Sequence, residues 1–208
     1  MKTFSNEIVL ATHNSGKLLA LQKIFSEYKL LSLDDIGFNL DIDENQPSFL
    51  GNAEKKATAV FQAINRPVLA DDSGLTIDAL GGFPGVMTHR FLGENASDEE
   101  RNLELIHRLD QLPIHTDRTA RFVCCLVYRN EEGITASSGE IVGRIARAPR
   151  GQNGFGFDPI FELADGRTLA ELSPEEKIKL DARRLAAERL EAQIRLSDLR
   201  YRGHFKNE

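Results

Sequence analysis

The chain has 208 residues, of which 41% are hydrophobic and 28% charged, the make-up of an ordinary soluble globular protein. Its formal net charge of −6 excludes a nucleic-acid polymer as the main partner, because neutralising a phosphate backbone takes a broad basic surface. No run approaches membrane-spanning length and the first residues lack the apolar segment of a secretory signal, so the expected setting is the cytoplasm, with no membrane partner.

This length suits one domain over residues 1–208, large enough to bury a sizeable core. The only cysteines, Cys124 and Cys125, are adjacent in an apolar run. Strand alternation sends their thiols to opposite faces, which argues for core residues rather than a disulfide or a metal site.

In chain order, Glu7–Thr12 is a strand signal that stops at His13-Asn14-Ser15-Gly16-Lys17. Leu18, Leu21, Phe25 and Tyr28 then fall on one helical face. A strand, a polar loop and a helix start suit an anion, because free backbone N–H groups attract it and Lys17 adds a full charge. A plain helix entry with an exposed lysine is the alternative.

Leu30–Leu33 and Asn39–Ile42 read as short strands, and Asp41, Asp43 and Glu44 as a solvated acidic loop, with metal binding a minor alternative. From Phe49, the spacing of Ala53, Ala57, Val60, Phe61 and Ile64 predicts an amphipathic helix, with Asn52, Glu54, Lys55 and Lys56 on its polar side.

Pro67–Ala70 then reads as a short strand that delivers Asp71, Asp72, Ser73 and Gly74 at its end. Strand ends are where α/β proteins place their chemistry. Adjacent carboxylates on extended backbone point to opposite sides, so Asp72 is expected to face a ligand and Asp71 to stand beside it. A solvated turn is the competing interpretation, since Asp, Ser and Gly are turn formers.

Gly81–Gly85 is a flexible loop, and Arg90 beyond it offers a guanidinium for phosphate or carboxylate. Ser97-Asp98-Glu99-Glu100 is a capping box ahead of a helix with Leu105, Leu109 and Leu112 on its buried stripe. Residues 121–128 form the clearest strand of the second half; a turn at Asn130–Gly133 leads to strands over 134–138 and 139–145, a meander. A mixed sheet, or a lobe of antiparallel character against an α/β first half, is expected.

The loop from Pro149 to Phe161 is rich in glycine and aromatics. Gly154 and Gly156 allow close backbone approach, Phe155 and Phe157 offer faces for a planar base, and Asp158 could take a base edge or a sugar hydroxyl or support a metal. Two core phenylalanines beside a turn are the alternative. Ser173-Pro174-Glu175-Glu176 opens the last helix, which carries Lys177, Ile178, Ala182, Leu185, Leu190 and Ile194; the polar tail from Asp198 is given no role.

Five segments together resemble the inosine/xanthosine triphosphate pyrophosphatase family: Thr12–Lys17, Ala70–Leu75, Leu80–Gly85, Gly154–Phe161 and Ala170–Lys177. They occur in the family's order and span nearly the whole chain. The resemblance implies an elongated mixed α/β fold of two lobes with the active cleft between them, a homodimer, and magnesium-dependent hydrolysis of a nucleoside triphosphate substrate to monophosphate and pyrophosphate. It further implies that Thr12, Asn14, Lys17 and Lys56 meet the phosphates. By the same resemblance Asp72 holds the metal or takes a proton from the attacking water, with Asp71 beside it at the metal. Ser73, Phe155, Asp158 and Lys177 then form the substrate and base pocket, and Arg90 and Arg183 grip the substrate.

Two departures stand out. The family carries a glutamate where this chain has Gly51, ahead of Asn52-Ala53, with Glu54 a displaced substitute. It also has Ser-His-Arg where this chain has Asp181-Ala182-Arg183, which removes a base-reading histidine. The alternatives are therefore an altered base preference, a nucleotide-binding protein with weak or no turnover, and a pyrophosphatase of the related septum-inhibition type acting on pyrimidine nucleotides.

Overall fold

The computed structural model describes residues 6–39, 42–88, 90–93 and 95–204, with 198–204 as backbone only. Six strands form one mixed sheet in the order β2-β1-β3-β4-β5-β6. The chain divides into two compact units, Met1–Asp72 with Cys124–Gly139 and Arg183–Glu208, and Ser73–Val123 with Glu140–Ala182.

The first unit is built on β1 (Glu7–Leu10), whose Ile8, Val9 and Leu10 are buried. It pairs in parallel with β2 (Lys29–Leu31) on one side and β3 (Val68–Ile77) on the other. Parallel neighbours need crossovers. These are supplied by α1 (Ser15–Gln22) and α2 (Phe49–Ile64). Ala53 and Ala57, one turn apart, let α2 settle closely on Val9, Val68 and Ala70, with Val60, Leu33 and Val127 completing the cluster. The helix α1 stops earlier than its apolar spacing predicts. Phe25 is fully buried from the turn beyond it, so the stripe records core contact rather than helix length.

The expected end of β3 at Ala70 is overturned. The strand continues through Asp71, Asp72 and Ser73 to Ile77. Asp and Ser favour turns only while their side chains lack better partners; here Asp71 has Lys17 and Arg183. Asn39 and Ile42 are not in a strand, while Leu40 and Asp41 lie outside the described residues, as does His89.

In the second unit α3 (Asp98–Asp110) carries the capping box read from sequence and buries Leu105, Ile106 and Leu109. The strands β4 (Thr119–Asn130) and β5 (Gly133–Ile145) each run through both units, joined by a turn in which Asn130 Oδ1 accepts from the Glu132 and Gly133 N–H groups. The two strands expected over 134–145 are a single long one. β5 pairs antiparallel with β6 (Phe161–Glu162), Ile145 opposite Phe161. Beneath lies an aromatic cluster in which Phe91 stacks on Phe157 and meets Phe83 edge-on, and Phe122 contacts both Phe157 and Phe161.

The single last helix expected after Ser173 is two: α4 (Pro174–Ile178) and α5 (Ala182–His204). The Lys179 and Leu180 N–H groups fold back onto Glu176 and Lys177 carbonyls, closing α4 with tight turns before α5 restarts.

Candidate active site

In the first unit, the loop after β1 is held by its own side chains. The Asn14 N–H donates to Thr12 Oγ1 at 3.1 Å, and Asn14 Oδ1 caps α1 by accepting from the Lys17 N–H at 3.1 Å. Lys17 thus starts a helix and points its ammonium at Asp71, with Nζ 3.1 Å from Oδ1 and 3.0 Å from Oδ2. Arg183, at the start of α5, donates through Nε to Asp71 Oδ2 at 3.2 Å. Lys56 on α2 donates to the Asp71 carbonyl at 2.5 Å and to Glu44 at 2.8 Å.

Asp71 is 1% exposed. Burial pushes its carboxyl up, but the Lys17 and Arg183 charges, with the Lys17 hydrogen bond and Lys56, outweigh this and hold it below the usual carboxylate range. Asp72, on the opposite face of the strand, accepts from Asn52 Nδ2 at 2.9 Å. Asn52 is itself 1% exposed and fixed at its other end, where Oδ1 accepts from the Gln46 N–H at 2.9 Å. Behind these carboxylates the cysteines of β4 are free and buried. Burial and then the Asp71 charge push Cys124 up to about 12, and burial and then Asp72 push Cys125 up.

Described contacts therefore join Thr12, Asn14, Lys17, Lys56, Asp71, Asp72 and Arg183 into one set. They add Asn52, to which the sequence had given no role, and Glu44, which it had read as solvated loop charge with metal binding a minor alternative. Asn52 had a signal: it sits one turn before Lys56 and next to the alanine stripe, so a buried amide there needs polar partners. Nothing local fixed the place of Glu44, which depends on how an irregular loop folds back on α2. Glu54, the displaced substitute for the acid absent at Gly51, lies exposed on α2.

The donor chemistry suits a hard cation. Mg2+ is commonly held by one or two carboxylates together with substrate phosphates. Asp72, steadied by Asn52, and Glu44, on Lys56, are carboxylates of that kind. Both Asp71 oxygens already face cations. Among the described residues, no group of three His, Cys, Asp or Glu side chains is placed to hold a metal ion by itself.

In the second unit, Phe155 is 84% exposed while its backbone is held: its N–H donates to Asp158 Oδ2 at 3.3 Å, and its carbonyl accepts from the Asp158 N–H at 3.2 Å. Asp158 is buried and ion-paired with Lys177 of α4. Gly154 is required here, because a Cβ would overlap both Asp158 Oδ2 and Lys177 Nζ, and its φ of +96° is left-handed. Asn153 Nδ2 donates to the Leu172 carbonyl at 2.9 Å. Phe157, expected to offer a second stacking face, is instead buried in the aromatic cluster. Ser73 is half-buried in β3, and Arg90, in a turn, donates through Nε to Met87 Sδ at 3.3 Å.

Residues 8–193 match the model of the Ham1 family. The chain belongs to that family. Curated relatives include the dITP/XTP pyrophosphatases of Geobacillus kaustophilus strain HTA426, 42% identical over 90% of this chain and 93% of the relative, and of Bacillus subtilis strain 168, 42% identical over 88% and 94%. Among solved structures, a HAM1 protein from Coxiella burnetii superposes with a TM-score of 0.84 at 40% identity, covering 90% of this chain and 98% of that one. The Staphylococcus aureus Ham1 protein gives a TM-score of 0.84 at 37% identity, covering 92% and 99%. The family resemblance drawn from the five segments is thus borne out, as is the mixed α/β fold. Among the described residues no helix is long and apolar enough to cross a membrane.

Proposed function

We propose that this chain is a magnesium-dependent pyrophosphatase that cleaves inosine, deoxyinosine and xanthosine triphosphates between the α and β phosphates, releasing the monophosphate and pyrophosphate. The observation that carries this reading is the ion cluster in which Asp71 aligns Lys17 and Arg183 beside an Asp72 held by Asn52. The activity for which relatives 42% identical over most of the chain are named supports it.

Three cations, Lys17, Lys56 and Arg183, accompany three carboxylates, Asp71, Asp72 and Glu44, so the set is formally neutral. A triphosphate adds about four negative charges that this set alone does not offset. Asp72 and Glu44, together with the substrate's phosphates, would hold Mg2+, which would supply that offset and Lewis acidity at the phosphoryl oxygens.

The chain's own groups do the rest. Lys17 and Arg183, already oriented by Asp71, meet phosphate oxygens without paying to order long side chains, and Thr12, Asn14 and Lys56 complete the cradle. Asp72, fixed through Asn52, takes the proton of the attacking water. In the second unit the exposed Phe155 ring stacks on the base, and Asp158 with Lys177 reads its polar edge; Ser73 and Arg90 complete the grip on the substrate. The homodimer and the cytoplasmic setting are part of the same proposal.

Ala182 offers no polar side-chain atom, so base discrimination rests on the Asp158–Lys177 pair, and an altered base preference belongs to this reading. The alternative of binding without turnover drew on the missing acid at Gly51. Glu44 on Lys56 counts against it. The test is pyrophosphate release with Mg2+ across inosine, xanthosine, guanosine, adenosine and uridine triphosphates and their deoxy forms. Selective release from the inosine and xanthosine forms is expected. Binding with no release from any of them would overturn the reading.

A further inference from the structure

The Phe155 loop is gripped from outside itself. Gly156, the next residue, donates its N–H to Asp98 at 2.8 Å, and its carbonyl accepts from Asn102 Nδ2 at 2.9 Å. Asp98 and Asn102 are four residues apart on α3, one turn of the same face. One helix edge therefore pins two successive peptide units, those on either side of Gly156.

The conformation held in this way separates two rings. Gly156 has φ +62°, a left-handed bend that turns Phe157 down into the aromatic cluster and leaves Phe155 84% exposed. The same helix secures the floor of that cluster, since Arg101 donates to the Phe91 and Gly93 carbonyls and Phe91 stacks on Phe157.

Asn102 is a costly choice for a merely structural position. It is 3% exposed, and its Oδ1 is buried with no hydrogen-bond partner among the described residues. An apolar side chain of similar volume would avoid that penalty, so the amide is there for the bond it donates.

We propose that Asp98 and Asn102 are positioning residues that hold the Phe155 ring as a preorganised stacking face for the nucleotide's base. The proposal rests on the base-binding reading of the Phe155 loop and extends it to a helix with no substrate contact of its own. A large aromatic ring left in water on a backbone bonded on every side binds a flat base with little ordering cost.

The test is steady-state hydrolysis of inosine triphosphate by wild type, Asp98→Ala, Asp98→Asn, Asn102→Ala, Phe155→Ala and the Asp98→Ala/Phe155→Ala double variant. Inorganic tripolyphosphate, which has no base, serves as competitive inhibitor. Asp98 is exposed and pairs with Arg101 only at 3.8 Å, while Arg101 keeps its bonds to the Phe91 and Gly93 carbonyls, and an unchanged thermal midpoint checks that the cluster survives the replacement.

Asp98→Ala and Asn102→Ala should raise KM about tenfold with kcat within about twofold, and leave the inhibition constant of tripolyphosphate unchanged. Asp98→Asn keeps an acceptor oxygen and should restore KM to within about twofold of wild type. On the Phe155→Ala background Asp98→Ala should add nothing, because both act through one ring. If Phe155→Ala raises KM but Asp98→Ala does not, or adds its full effect on that background, or weakens tripolyphosphate equally, the clamp is wrong and the stacking reading survives. If Phe155→Ala itself leaves KM unchanged, the stacking reading fails and the clamp with it.

Discussion

The Lys17 ammonium lies 3.0 Å from Asp71 Oδ2, the oxygen that also accepts from Arg183 Nε at 3.2 Å, so one buried acid aligns cations from two helices far apart in sequence. Replacing it removes a buried counter-charge from both. Asp71→Asn should cost about 3 kcal/mol at neutral pH, the range for removing one partner of a buried ion pair, measured by urea unfolding. Because the folded carboxyl sits below its usual range, its contribution is present above the unfolded value of about 3.9 and is lost as pH falls through the folded one. The gap between wild type and variant should therefore narrow below about pH 4, and a gap that stays constant down to pH 2 would contradict the ion-pair account.

Asn52 touches Asp72 and, in this account, neither substrate nor metal. Groups that orient a metal ligand commonly change affinity or activity by about 10- to 100-fold. Asn52→Ala should raise the half-saturating Mg2+ concentration by about tenfold, read from pyrophosphate release in a Mg2+ titration. An unchanged titration midpoint would remove Asp72 from the metal.

At Gly154 a side chain has no room. Gly154→Ala must displace Asp158 or Lys177, which are in contact with each other there. KM for inosine triphosphate should rise about tenfold, with the preference over guanosine triphosphate changed and the thermal midpoint lowered by the strain of alanine at a left-handed φ. Kinetics indistinguishable from wild type would place base recognition elsewhere.

The cysteines give a test that involves no substrate. With Cys124 pushed up to about 12 and Cys125 also raised, neither is a useful thiolate at pH 8. A thiol reagent should label the native protein at least about 100-fold more slowly than the urea-unfolded chain. Rapid native labelling would show that β4 is not closed over them.

Much of this was legible in the residues, and for physical reasons. The Ser97 capping box, the alanine stripe of α2 and the Asn14–Lys17 helix start are local: hydrogen bonds or periodicity within a few residues decide them. What was missed is decided at long range. Asp71 and Asp72 look like turn formers until Lys17, Arg183 and Asn52 arrive from other elements and let β3 run on. Glu44 looks like solvated loop charge until Lys56 meets it. Phe155 and Phe157 are identical in type and two apart, and only the left-handed bend at Gly156, set by Asp98 and Asn102, sends one out and the other in.

In the proposed mechanism Asp72 takes the proton while the Lys17–Asp71–Arg183 cluster binds the triphosphate. Its most direct test is pyrophosphate release from inosine triphosphate by Asp72→Asn, with nucleotide binding measured in parallel by calorimetry. General-base loss is worth about 10²- to 10⁴-fold. At saturating Mg2+, kcat should fall at least about 100-fold while the nucleotide is still bound; turnover near wild type would rule Asp72 out as the base.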